Sequence, residues 1–279
     1  MTEIEKLREV IQNSETILIG AGAGLSTAAG YTYSGARFRS IFSDFEEKFG
    51  FTDMYSGGFY PYSTREEFWA FWSRNIFCNR YDQPSSEVHR NLLDLVRDKN
   101  YFVITTNVDH LFQSNGFDKS RLFYTQGDYG LFQCSTPCHQ KTYDNEDQIR
   151  RMISEQREMK IPTELIPRCP RCGEEMTLNL RSDDRFVEDN GWHEASERYR
   201  EFLQKNLGKP MLLLELGVGG NTPRIIKYPF WEFTREFDEI TFATINFGEA
   251  FVPKDIRKKS IVINENIADV LSELKGIKL

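Results

Sequence analysis

This sequence of 279 residues has no long apolar run. Its apolar runs, such as Met211 to Leu214, fall far short of the roughly 20 residues a membrane helix needs. It also lacks a basic start followed by an apolar core. The chain opens instead on the polar, helix-periodic stretch Glu3 to Ile11, so no secretory signal is expected and a cytoplasmic protein is. Positive charge is scarce: 35 Lys and Arg face 42 Asp and Glu, for a net charge of −7. That balance argues against a nucleic-acid partner, which needs a basic face, but leaves an anionic cofactor open because local amides can outweigh a global charge. Internal repeats and low-complexity segments are absent. Cysteine is sparse, with five residues, Cys78, Cys134, Cys138, Cys169 and Cys172, four of them in two close pairs. Without an export signal, such pairs read as metal ligands before disulfides. With 39% hydrophobic and 28% charged residues, the chain reads as one large globular domain, or a domain carrying an insert.

Short apolar runs alternate with helical periodicity. Helices are expected over residues 3–13, 85–96, 148–158, 194–204 and 267–274. Five buried strands are expected at 16–19, 101–105, 211–216, 239–245 and 259–263. That alternation implies an α/β fold, a doubly wound parallel sheet covered on both faces. The sheet would draw on residues 1–40, 81–130 and 208–279 as a Rossmann-like, cofactor-binding domain. Residues 41–80, dense in Phe and Trp, would form a small helical module, and 131–207 a zinc-ribbon-like insert.

Three motifs carry chemistry. Gly20 to Gly30 follows the first strand; its glycines would let the backbone approach a phosphate, although the spacing departs from the usual dinucleotide fingerprint. A plain strand-to-helix turn is the competing reading. Thr105-Thr106-Asn107-Val108-Asp109 ends the second strand, where a doubly wound sheet places its ligand crevice. Asn107 and Asp109 could bond ribose hydroxyls or a carboxamide, or could cap the next helix. Cys134 and Cys138, then Cys169 and Cys172 around the turn of Pro170, Arg171 and Gly173, suit a closed tetrahedral structural zinc. Four unligated thiols, or His139 in place of Cys138, are the alternatives.

Taken in order, these segments resemble the sirtuin family. Gly22-Ala23-Gly24-Leu25-Ser26 is similar to its cofactor loop, Phe38-Arg39 to the pair that ends the loop, and Thr105 to Asp109 to its Thr-Gln-Asn-x-Asp, with Thr106 replacing Gln. Pro84 and His89 resemble the Pro and His that open the helix before the second strand. Gly217-Val218-Gly219 stands where the family carries Gly-Thr-Ser, Asn246 resembles the residue at the adenosine ribose, and Ile267 begins the segment beside the adenine. The resemblance implies NAD as cosubstrate, held by these residues together with Gln126, and four zinc cysteines.

The departures imply the activity. Sirtuin deacylases place a His before a Gly as general base for the ribose 2′-hydroxyl; here the residues are Thr125-Gln126-Gly127. An amide cannot take that proton near neutral pH, and loss of a general base costs on the order of 10²–10⁴ in rate. The loop from Tyr31 to Arg37 is longer than the family's. The segment Asn179 to Arg185 is charged where deacylases carry an apolar acyl channel. Glu249 lies three residues after Asn246 where the family's spacing is two. These traits resemble the macrodomain-linked microbial class M sirtuins. That resemblance implies protein ADP-ribosyl transfer, with a lipoyl-carrier acceptor protein and an opposing macrodomain hydrolase as partners. Asn107, Asp109, Gln126 and Arg181 would be the catalytic residues, Gln126 orienting and Arg181 binding an anionic acceptor group. Asp128 is the nearby carboxylate able to act as a weak base, against a reading as a turn residue beside Gly127 and Gly130. His89 and His110 read as structural and His193 as surface. A lysine deacylase, an NAD glycohydrolase and an NAD sensor are the rival activities.

Overall fold

The computed structural model describes residues 1–220 and 223–276. Its main sheet has six parallel strands: β1 (Thr16–Ala21), β2 (Asn100–Thr105), β3 (Leu122–Tyr124), and, after three strands of a second sheet, β7 (Met211–Leu216), β8 (Ile240–Ile245) and β9 (Ser260–Ile263), in the order β3-β2-β1-β7-β8-β9. Every residue of β1 and β7 is buried, because helices cover both faces and leave no solvated side to alternate toward. The five strands expected from the sequence are present within a few residues of their ends. β3 was not expected: at three residues it is too short to show a period. The order reverses between β1 and β7, so the crevice of the doubly wound sheet opens beyond Ala21 and Leu216.

The second sheet is antiparallel and small. It comprises β4 (Gly127–Cys134), β5 (Tyr143–Asp144) and β6 (Met176–Leu180), in the order β5-β4-β6. It shares one core with the aromatic helices Gly35–Phe49 and Arg65–Ile76: Phe132, Cys134, Ile149, Met152 and Cys169 pack with Phe38, Phe42, Trp69 and Phe71. Trp69 meets Phe132 edge-on at 5.1 Å and donates its indole N–H to Glu175 at 3.2 Å. Helix Asn190–Asn206, although it follows the cysteines, lies on the parallel sheet, with Phe202 against Phe102 at 5.4 Å and Trp192 against Phe123 at 5.1 Å. No helix among the described residues is long and apolar enough to cross a membrane.

Phe71 sits at the centre of the aromatic core, fully buried, with ring centroids 4.8 Å from Phe42, 5.5 Å from Phe51 and 5.7 Å from Phe45. Truncation removes the transfer energy of the ring and leaves a cavity walled by rigid neighbours. Phe71→Ala is expected to destabilise the protein by about 3–5 kcal/mol, read from the shift of the urea unfolding midpoint.

Candidate functional site

At the reversal point two backbone turns meet. Gly22 N–H donates to Leu216 O at 3.0 Å and Gly24 N–H to Gly217 O at 2.9 Å. A Cβ on Gly24 would stand 2.7 Å from Gly217 Cα, and Gly217 itself has φ +61°, so side chains at these positions would force the strand ends apart.

Beside this contact lies a cavity of about 360 Å³, whose wall includes Ala23, Ser26, Thr106, Asn107 and Asp109. A larger, shallower groove of about 750 Å³ is lined by Met211, Thr241 and Ser260 at the opposite end of the strands. Doubly wound sheets bind ligands at their carboxyl ends, so the smaller cavity is the candidate site.

Its polar groups are fixed by one another. Asp109 accepts from the Ser26 hydroxyl at 2.5 Å and from Leu111 N–H at 3.1 Å. Burial pushes the Asp109 carboxyl up, while those two hydrogen bonds pull it down; the net direction is upward. Asn107 donates its amide N–H to Gly22 O at 3.0 Å and to Ser26 Oγ at 3.1 Å, which turns its Oδ1 away from both. Thr106 N–H bonds Ala21 O at 3.1 Å, tying the motif to the end of β1.

The long loop after Gly30 supplies the facing wall through Tyr31, Thr32, Tyr33 and Ser34. It is fastened at several points. Tyr31 donates to Pro84 O at 2.9 Å, the Tyr33 and Tyr129 hydroxyls lie 2.7 Å apart, and Arg37 donates to Thr32 O at 3.0 Å and Cys78 O at 2.8 Å. Sequence reasoning noted this loop only as a departure; Tyr33, Arg37 and Asn79 were missed as wall-builders. Asn79 is buried four residues after the buried Asn75, and such polar spacing on an aromatic helix was the available signal.

Other expected residues fall elsewhere. Phe38 is fully buried and stacks on Phe42 at 5.5 Å, and Arg39 lies on the surface facing Glu46 at 3.5 Å; neither reaches the cavity. Val218 and Asn246 meet at the ends of β7 and β8, where Asn246 donates to Val218 O at 3.2 Å, and Gly219 approaches Glu249. Ile267 is buried in the sheet core at the start of the last helix. Gln126 precedes Gly127, whose φ is +95° and whose Cβ would collide with Asn179 O. Its carbonyl accepts from Arg181 N–H at 3.1 Å. The Arg181 guanidinium pairs with Glu188 and covers the rings of Phe186 at 4.4 Å and Trp192 at 5.4 Å.

Asp128 is held as an ion-paired carboxylate. It accepts from Arg80 Nε at 2.8 Å, His110 Nδ1 at 2.6 Å and Gly130 N–H at 2.7 Å. Burial would raise it, but the His110 hydrogen bond and the Arg80 charge outweigh burial and hold it below the ordinary carboxylate range.

The four expected cysteines converge: the sulfurs of Cys134, Cys138, Cys169 and Cys172 lie within 4.8 Å of one another. The Cys134–Cys172 and Cys138–Cys169 separations are 3.6 and 3.7 Å. Zinc at about 2.3 Å from each of four tetrahedral sulfurs would set them roughly 3.8 Å apart, so the group fits. His139 stands 2.9 Å from Cys138 Sγ and 2.8 Å from the Tyr143 hydroxyl, contacting that sulfur from outside the set.

A family model described as "Sir2 family" matches residues 22–210, more than half of the chain. The chain belongs to the Sir2 family. A Staphylococcus aureus protein described as "Protein ADP-ribosyltransferase" is 40% identical over 271 residues, covering 97% of this chain and 86% of that one. A Fusarium oxysporum f. sp. cubense protein described as "Probable bifunctional ADP-ribose hydrolase/ADP-ribosyltransferase" is 30% identical over 261 residues, covering 88% of this chain and 43% of that longer one. The solved structure described as "Sir2-p53 peptide-NAD+" superposes with a TM-score of 0.63 at 21% identity, covering 99% of each chain, a likeness of fold. This Sir2-family chain thus carries a polar cavity at the switch point of its sheet and a zinc-competent cysteine cluster on one scaffold.

Two outcomes test this geometry. Cys169→Ser should release the metal, measured by atomic absorption, and lower Tm by roughly 5 °C or more, because site formation and folding are coupled. Folding lowers the Asp128 pKa, so its ion pair contributes fully above about pH 4 and is lost as pH falls through the folded value. The stability gap between the native protein and Asp128→Asn, read from urea midpoints, should therefore shrink below that pH.

Proposed function

We propose that this chain transfers ADP-ribose from NAD to an acceptor protein, releasing nicotinamide, and that it deacylates lysine poorly. The observation that carries the reading is Gln126, in the turn directly before β4 and next to the left-handed Gly127, where sirtuin deacylases need an imidazole. The name borne by the 40% identical Staphylococcus aureus relative supports the same activity.

In this reading the pyrophosphate of NAD lies along the turn from Gly22 to Ser26, where the glycines keep the backbone bare. Asn107, through its unspent Oδ1, and Asp109 hold the nicotinamide ribose and carboxamide. Thr106 lines the same wall. Gly217, Val218, Gly219 and Asn246 take the adenosine end, with Ile267 beneath. As the glycosidic bond loosens, positive charge develops at the anomeric carbon, and a side chain of the acceptor captures it. Gln126 orients the ribose, and Arg181, presented by Phe186 and Trp192, meets an anionic group of the acceptor protein in competition with Glu188. Phe38 supports the loop from the aromatic core, and Arg39 stays at its outer surface. The acceptor is a lipoyl-carrier protein. An opposing hydrolase removes the modification, a pairing supported by the combined hydrolase and transferase name of the Fusarium relative.

Mass spectrometry of lipoyl-carrier protein incubated with this chain and labelled NAD tests the reading. Label is expected on protein; free ADP-ribose alone would instead identify a glycohydrolase, and acetyl-peptide turnover a deacylase. Asn107→Ala should abolish labelling, and Gln126→Ala should weaken it by about 10-fold or more.

A further inference from the structure

Gln126 leaves the site without a base at the usual position, and the structure offers one elsewhere. His110 follows Asp109 directly. Its backbone is left-handed, with φ +67° and ψ +12°. Two other described non-glycine residues share positive φ, Glu158 and Met159, and both belong to the tight turn closed by the pairing of Arg157 with Lys160. His110 sits instead inside the turn that Leu111 N–H closes on the Asp109 carboxylate at 3.1 Å. It opens a four-residue helix, and its side chain is aimed across to β4. Backbone strain of this kind collects at functional sites.

The ring follows Asp109 of the cavity wall by one residue, and its tautomer is the one a base requires. Nδ1 lies 2.6 Å from Asp128 Oδ2. Arg80 and the Gly130 N–H help hold Asp128 ionised in spite of its burial, so the Nδ1 position must donate, and the lone pair falls on Nε2. No described protein atom bonds Nε2, and the side chain is 27% exposed. The two neighbouring carboxylates are already engaged as acceptors: Asp109 accepts from Ser26 and Leu111 and, in the reading above, from the ribose, while Asp128 accepts from its three donors. The phenols of Tyr124 and Tyr129 are raised by burial, Tyr129 to about 12. The charged groups around the ring are Asp128, Arg80 and Asp109.

We propose that His110 accepts the proton of the group that attacks the ribose. The proposal rests on the transferase reading above. The acceptor is then a protic nucleophile, such as a hydroxyl or thiol. As its heteroatom bonds the anomeric carbon, the bond from that carbon to nicotinamide nitrogen breaks, and nicotinamide leaves neutral with the bonding pair. The nucleophile's proton passes to Nε2 of His110, and the resulting imidazolium faces the Asp128 carboxylate until it yields the proton to water.

The test is nicotinamide release from NAD, with and without lipoyl-carrier protein, across pH 5 to 9. Release reports the step whatever captures the sugar, whereas label on the carrier reports the transferase reading separately. Release without label would sink that reading and leave His110 judged by the pH profile. The native protein should lose rate on acidification, once a proton occupies Nε2. His110→Asn tolerates positive φ and can still donate to Asp128, but has no titratable lone pair. It should lose about 10²–10⁴ in kcat, keep its KM for NAD within about threefold, lose the acid limb, and regain part of its rate with added imidazole. A native profile with no acid limb overturns the proposal, even if the variant fails to fold. So does a variant that keeps both rate and limb, or one in which KM alone rises while the limb persists, which would mark His110 as a brace only.

Discussion

Everything in the candidate site depends on one close approach: the turn after β1 and the turn after β7 touch backbone to backbone through Gly22, Gly24 and Gly217. No side chain fits between them. The contact sets the position of the short helix carrying Ser26, and Ser26 in turn anchors both Asp109 and Asn107. The polar wall of the cavity is therefore built outward from three residues that have no side chain. Most of its groups are tied to one another, so they are preorganised before a ligand binds.

A second frame faces the first. The aromatic helices and the cysteine segment share one hydrophobic core, and the Tyr31 to Arg37 loop is tied to that core through Tyr33 and Arg37, while Tyr31 fastens its start to Pro84 and Ser26 on the sheet side. Tyr33 reaches Tyr129 on β4, and the chain from β4 runs directly to Cys134. The cavity is thus bounded on one side by the sheet and on the other by the body that carries the four-cysteine cluster. Packing at that junction positions the facing wall.

How much of this was legible varied with the physical cause. Strands buried on both faces are continuous apolar runs, so Ile17 to Ile19 and Met211 to Leu216 were readable. β4 was not, because Gly127, Asp128 and Gly130 give it the composition of a turn, and β5 is only two residues long. The cysteine spacing announced its cluster because a metal imposes its own local pattern. Phe38 was drawn toward the cofactor by its motif and toward the core by its neighbours, and packing decided for the core. His110 looked like filler. Its bond to Asp128 joins segments that only the tertiary fold brings together, and no local period encodes such a meeting.

The central strand pairing has a bearing on biosynthesis. Ile17 of β1 sits beside Leu212 of β7, so the middle of the sheet cannot close until most of the polypeptide has left the ribosome. Until then β1 can pair only with β2, and its other edge stays bare. The aromatic body, assembled from intervening residues, can condense earlier, leaving the nascent chain half built around an open edge. That unfinished edge is where aggregation during synthesis would begin.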